Sequence, residues 1–340
     1  MKDNPNKPVI IWLLTGCFLI FAMVVIGGIT RLTNSGLSMV DWKLIMGSIP
    51  PLNEAEWLQT FEQYKQFPEY QKVNTHFTLS EFKSIFFWEY LHRLLGRLIG
   101  IVFIVPFIYF LLKKKLSKKL IFQSVVILFM GSLQGAIGWW MVKSGLVNNP
   151  DVSHYRLAVH LITAFLTFAY TFWVALTLIY PEVSNNNHSK MRKILFVILG
   201  LTIIQIVYGA FVAGLNAGFV MNTWPKMGEE WISSSVTAMN PVWLNFVEGI
   251  GGVQFIHRYL AYFVLGLIFY FWLKSRKLEL NTLQVNGVNL LLGAVMLQFC
   301  LGIATLIYAV PVWLGVAHQL GAFFLLTSIV YVMNAFRKNA

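Results

Sequence analysis

Seven histidines punctuate the chain, and five of them lie in or at the ends of long apolar stretches; His76 and His188 fall in polar loops. An ionisable side chain inside an apolar span is costly, which makes it a functional candidate. Four of the five form two ordered pairs, His92 with His160 and His257 with His318. Each pair lies in a segment that recurs later in the chain. EYLHRLLGRLIG (89–100) is echoed by QFIHRYLAYFVLG (254–266), and RLAVHLITAF (156–165) by LGVAHQLGAF (314–323). Between them LQGAIG (133–138) is echoed by LQFCLGIA (297–304), so Gln134 matches Gln298. A loose echo of Gly27–Gly36 runs through Gly209–Gly218. Apolar segments often look alike by chance, but here the rare residues match and keep their order. A capping or interhelical hydrogen bond would explain one such histidine, but not two duplicated pairs.

Two facing imidazoles within a four-helix bundle make a bis-histidine axial site for heme. Zinc and copper fit less well, because two histidines leave their coordination incomplete and no Cys or Met cluster completes it. Arg93, Arg97, Arg156 and Arg258 stand beside these histidines. A guanidinium suits forked recognition of carboxylates such as heme propionates, whereas snorkelling to headgroups would explain any one of them alone. The two copies also differ. Glu89 precedes His92 by three residues and shares its helix face, and the matching position holds the neutral Gln254. A carboxylate beside a heme in a low-dielectric site suits a proton acceptor or a stabiliser of developing positive charge. The difference predicts chemistry on a heme in the first half and electron carriage in the second.

These residues need long apolar elements to position them, and the composition supplies such elements. The 340 residues are 57% hydrophobic and only 12% charged, with mean hydropathy +0.65. A soluble domain of this size carries more charge. Eight spans are long enough to cross a bilayer, at roughly 9–30, 84–112, 120–142, 156–180, 194–215, 250–273, 284–309 and 312–336. Only helices satisfy their own backbone in lipid at that length. The expected fold is an all-α polytopic membrane protein, two tandem four-helix bundles related by a parallel duplication, with halves at 1–182 and 183–340. The N-terminus runs into the first span with no small-residue cleavage site, so that span reads as retained.

The formal charge of +12 sorts by loop. One alternate set of connections, with both termini, holds 15 basic residues against the acids Asp3, Glu182 and Glu279. The other holds seven basic residues (Arg31, Lys43, Lys65, Lys72, Lys83, Lys143, Lys226) against ten acids. The positive-inside rule puts the first set and both termini in the cytoplasm. All four histidines then lie near the outer ends of spans two, four, six and eight. The charge is thus a topology signal, and no clustered basic face suggests nucleic acid. Cys17 and Cys300 both lie in apolar stretches and offer neither a loop disulfide nor a zinc site. The first outer loop, 31–83, carries Trp57, Phe61 and Tyr64 at helical spacing. That pattern suits an interfacial helix on the membrane, with a lid over an outer-face site as the alternative.

Taken together, EYLHRLLGR, GGITRLTNSGLSMVDW, SHYRLAVHL, IHRYLAY and AHQLGA resemble the signatures of the heme A synthase family, in order, from Gly27 to Gly321. The long first loop without a cysteine pair is similar to one branch of that family. The resemblance implies an oxidoreductase of a cell inner membrane that converts heme O to heme A. One ring methyl group would become a formyl group through two hydroxylations and loss of water. It further implies that His257 and His318 ligate a heme b cofactor, while His92 and His160 flank the heme O iron with Glu89 near the reacting carbon. A heme O synthase upstream, a membrane electron acceptor and cytochrome oxidase as recipient follow from it, with a homo-oligomer left open. His154, six residues before His160, is expected to be a local polar or propionate contact. Two alternatives share the histidines: a di-heme b-type electron-transfer cytochrome, and a heme transporter or chaperone. The cytochrome reading leaves the contrast of Glu89 with Gln254 unexplained.

Overall fold

The computed structural model describes residues 4–40, 49–147, 150–182 and 188–338. Lys2, Asp3 and the first-loop stretch 41–48, with Lys43, lie outside the described residues. Eight helices are long and apolar enough to cross a membrane, and no strand occurs among the described residues. They are α1 (Lys7–Leu32), α4 (Leu79–Leu112), α5 (Lys118–Gly145), α6 (His154–Ile179), α7 (Ser189–Gly214), α8 (Ile250–Ser275), α9 (Thr282–Ile307) and α10 (Val312–Ala335). Two short helices, α2 (Glu54–Tyr64) and α3 (Pro68–Lys72), interrupt the first long loop. The chain is an all-α polytopic membrane protein, and each expected span falls within one or two residues of these helices at most ends. The largest departures are at the starts of α4 and α7, which begin at Leu79 and Ser189, not 84 and 194. Thr78 caps α4, accepting a hydrogen bond from the Glu81 N–H, while Glu81 reaches back to the Thr78 N–H.

Packing divides the chain into two compact units: residues 18–160, here the N-terminal unit, and residues 1–17 with 161–340, the C-terminal unit. In the N-terminal unit α2 lies on the start of α4. Phe61 and Tyr64 of α2 are buried with Phe82, Ile85 and Phe86 of α4, and Trp57 meets Phe86 edge-on at 5.0 Å. The helical spacing of Trp57, Phe61 and Tyr64 therefore serves a protein contact. In the C-terminal unit the core is built from α7, α8, α9 and α10, with Leu195, Ile268, Leu291 and Ile329 fully buried. The connection from α7 to α8 carries three short 3-10 turns, Ala217–Phe219, Ser234–Thr237 and Val242–Phe246.

Candidate functional site

Each histidine of interest projects from a long helix onto a glycine of a neighbouring one. In the C-terminal unit a Cβ on Gly209 of α7 would lie 3.1 Å from His257 Cε1, and one on Gly302 of α9 would lie 2.9 Å from His318 Cε1. In the N-terminal unit a Cβ on Gly138 of α5 would lie 3.1 Å from His160 Cε1, and one on Gly27 of α1 would lie 3.3 Å from His92 Nε2. The absent side chains let the rings approach the helix backbone. The His257 and His318 rings stand 6.3 Å apart, centre to centre, with planes at 86°. His160 lies within electrostatic reach of His92. Among the described residues no three His, Cys, Asp or Glu side chains converge as a metal site.

Glutamines hold two of these rings. Gln205 of α7 places its amide nitrogen 3.2 Å from His257 Nδ1 and donates to the His257 carbonyl at 2.9 Å. Gln134 of α5 repeats this on His160, at 3.1 and 2.9 Å. Gln298 occupies the same register on α9, one turn before Gly302. These groups suit a heme. A metal atom bonds an imidazole nitrogen at about 2 Å, and the 6.3 Å between the His257 and His318 ring centres leaves room for one iron between them. Binding through Nε2 leaves the remaining proton on Nδ1, which needs an acceptor. Gln205 Oε1 and Gln298 Oε1 are buried without a hydrogen-bond partner among the described residues, as is His318 Nδ1.

The second feature is a clamp one turn before each first histidine. Beyond α1 and α7 the chain turns through left-handed Asn34 (φ 50°) and Asn216 (φ 54°). It then runs as two matched straps, Asn34-Ser-Gly-Leu-Ser-Met39 and Asn216-Ala-Gly-Phe-Val-Met221. Arg93 donates to the Met39 carbonyl at 2.7 Å, and Arg258 donates to the matching Met221 carbonyl. The residue four before each arginine completes the clamp with opposite polarity. Glu89, 3% exposed, accepts from the Ser38 hydroxyl at 2.7 Å, from the Met39 N–H at 2.8 Å and from Arg93 at 2.5 Å. Gln254 instead donates to the Ala217 and Val220 carbonyls, both at 2.8 Å, and accepts from Arg258 at 3.1 Å.

The structure thus gathers Glu89, His92 and Arg93 on α4, with Arg97 one turn further on. Arg156 donates to the Trp140 carbonyl at 2.7 Å and lies over the Trp140 ring at 4.5 Å. His154 is buried at the start of α6 against Tyr155, ring centres 4.0 Å apart. Arg258 also donates to the Thr223 carbonyl at 2.8 Å and to the Lys226 carbonyl at 3.1 Å. Sequence reasoning passed over Gln205, the glycine seats and the straps. A signal was there: Gln-x-x-x-Gly recurs at 134–138, 205–209 and 298–302.

Comparison with known proteins gives the family. The family model for cytochrome oxidase assembly proteins matches residues 10–330. The heme A synthase of Flavobacterium psychrophilum is 56% identical over 99% of this chain and 100% of its own length. That of Flavobacterium johnsoniae is 54% identical over 98% and 99%. That of Nitrosospira multiformis is 45% identical over 99% and 96%. Matched along nearly its whole length, the chain belongs to the heme A synthase family of cytochrome oxidase assembly proteins.

Proposed function

We propose that this chain oxidises heme O to heme A, turning one ring methyl group into a formyl group by two hydroxylations and loss of water. The observation that carries this reading is the pair of unequal imidazole sites: a buried carboxylate, Glu89, stands one turn before His92, while the matching position before His257 holds an amide. On this reading residues 1–182 form the substrate half and residues 183–340 the cofactor half. His92 and His160 flank the heme O iron. Glu89 already receives three donors, which suits it to stabilise positive charge developing on the substrate more than to take up a proton. His257 and His318 hold a heme b. That group supplies one-electron redox chemistry when bound. Arg93, Arg97, Arg156 and Arg258 would orient propionates.

The loop charges support an inner-membrane protein with both termini cytoplasmic and the heme sites toward the outer face. A heme O synthase would deliver the substrate, and a membrane carrier would accept the electrons. Co-expression with a heme O synthase in a host lacking its own heme A synthase, followed by extraction and mass spectrometry of the hemes, tests the reading. Heme A, with its hydroxylated precursor, is the expected product. Heme B at full occupancy in both halves, with heme O untouched, would establish the electron-transfer reading instead.

A further inference from the structure

Four imidazoles sit against four glycines, but the residue one turn before the glycine is not the same in all four. Gln134 precedes Gly138, Gln205 precedes Gly209 and Gln298 precedes Gly302, whereas Met23 precedes Gly27. The rings differ in the same way. His160, His257 and His318 all point Cε1 at the glycine, at 2.9 to 3.1 Å from its Cβ position, with Nδ1 next at 3.5 to 3.7 Å and Nε2 at 3.6 to 4.0 Å. His92 turns the other edge, Nε2 at 3.3 Å and Cδ2 at 3.5 Å. That is the edge a half turn about the Cβ–Cγ axis would present. The reason is chemical. An amide beside the seat distinguishes Nδ1 from the carbon that takes its place in a flipped ring, as the contacts to His257 and His160 illustrate. The Met23 thioether is at best a weak acceptor and selects neither face. It packs against α4, with its methyl carbon 3.4 Å from a Cβ on Gly96.

We infer that Gln134, Gln205 and Gln298 are positioning residues that lock their imidazoles for iron, and that Met23 leaves the His92 ring free to turn, making it the ligand that lets go of the substrate heme. This rests on the proposed assignment of His92 and His160 to heme O. A cofactor must stay and a substrate must leave, so the locks divide accordingly. Two rings with a glutamine at the seat face each other in the C-terminal unit, His257 already in contact with Gln205, while the substrate pair joins one such ring, His160, to His92, whose seat holds Met23.

The test reads ligation of bound heme, with no turnover needed. Full-length protein is loaded with heme O, and the rate of transfer to excess apomyoglobin and the ferric spin state are followed in wild type, Met23→Gln and Met23→Leu. Met23→Gln is expected to raise the low-spin fraction and slow heme O loss up to roughly tenfold, the worth of one buried hydrogen bond. Met23→Leu should leave both near wild type. In parallel, Gln205→Leu should shift the low-spin electron paramagnetic resonance signal of the heme held by His257 and His318, because that signal follows the angle between the imidazole planes. Unchanged ligation in Met23→Gln and an unchanged signal in Gln205→Leu would overturn the inference. Should Met23→Gln not fold, the Gln205→Leu signal decides. If the His92 and His160 pair retains no heme O in any variant, the functional assignment fails, and Gln205→Leu still tests the lock.

Discussion

At Glu69 of α3, in the N-terminal unit, a carboxyl is buried. Tyr64 donates a hydrogen bond to it at 2.9 Å, and Asn74 in turn donates to the Tyr64 oxygen at 2.9 Å. Burial pushes this carboxyl up from the ordinary 4.5 to about 7; the Tyr64 hydrogen bond opposes the shift, and the negative charges of Glu89 and Asp151 add to it. Because the folded value is raised, the stabilisation is full below the unfolded value and is lost as pH rises through about 7. Glu69→Gln should therefore remove a pH dependence. Above pH 7 the 54–74 region should become more protected from hydrogen exchange, by up to about 3 kcal/mol, with little change at pH 4. Equal protection of variant and wild type across that range would contradict it. None of this was legible in the sequence, where Glu69 is one acid in an acidic loop. Its burial depends on the aromatic faces of α2 and α4 meeting. The histidines were legible because a rare ionisable residue in an apolar span stands out without any fold. Their glutamines were half legible: Gln134 matched Gln298, but Gln205 has no counterpart of its own type, since the matching position on α1 is Met23.

At the scale of elements, two devices decide the site. The glycine seats require helix backbones to accept an imidazole edge. Gly302→Ala would put a methyl group 2.9 Å from His318 Cε1, so the ring must move, at a cost of roughly 1–3 kcal/mol. The expected outcome is loss of the heme held by His257 and His318, seen in the reduced-minus-oxidised spectrum, with heme O binding by His92 and His160 retained. The clamps require each strap to match its helix. Glu89→Gln would set an amide nitrogen against the Met39 N–H or the Arg93 guanidinium and break a buried ion pair. Leaving that charge unpaired costs about 3–5 kcal/mol. The variant should lose heme A formation and also expose segment 33–40 to proteolysis. Lost activity with an undisturbed strap would instead place the carboxylate's whole effect on the substrate. Helix positions were readable from hydropathy and length, as the near agreement of expected spans and observed helices attests. The start of α4 was not, because Leu79–Lys83 carries a polar, capped turn that extends the helix past the apolar run.

At the scale of the whole molecule, the duplication and the packing describe different things. From the repeat the sequence is expected to divide near 182, whereas packing groups residues 18–160 apart from residues 1–17 and 161–340. Repeats record how a chain arose, and compact units record which side chains meet, so the second could not be read from the first. The clamps carry a consequence for that history. Joining the strap of one copy to the helix of the other would set the Glu89 carboxylate against the carbonyls that Gln254 now binds, acceptor facing acceptor. An exchange between the copies would therefore break the clamp that receives the carboxylate, so the twin sequences are not interchangeable and their asymmetry carries its own penalty against being evened out.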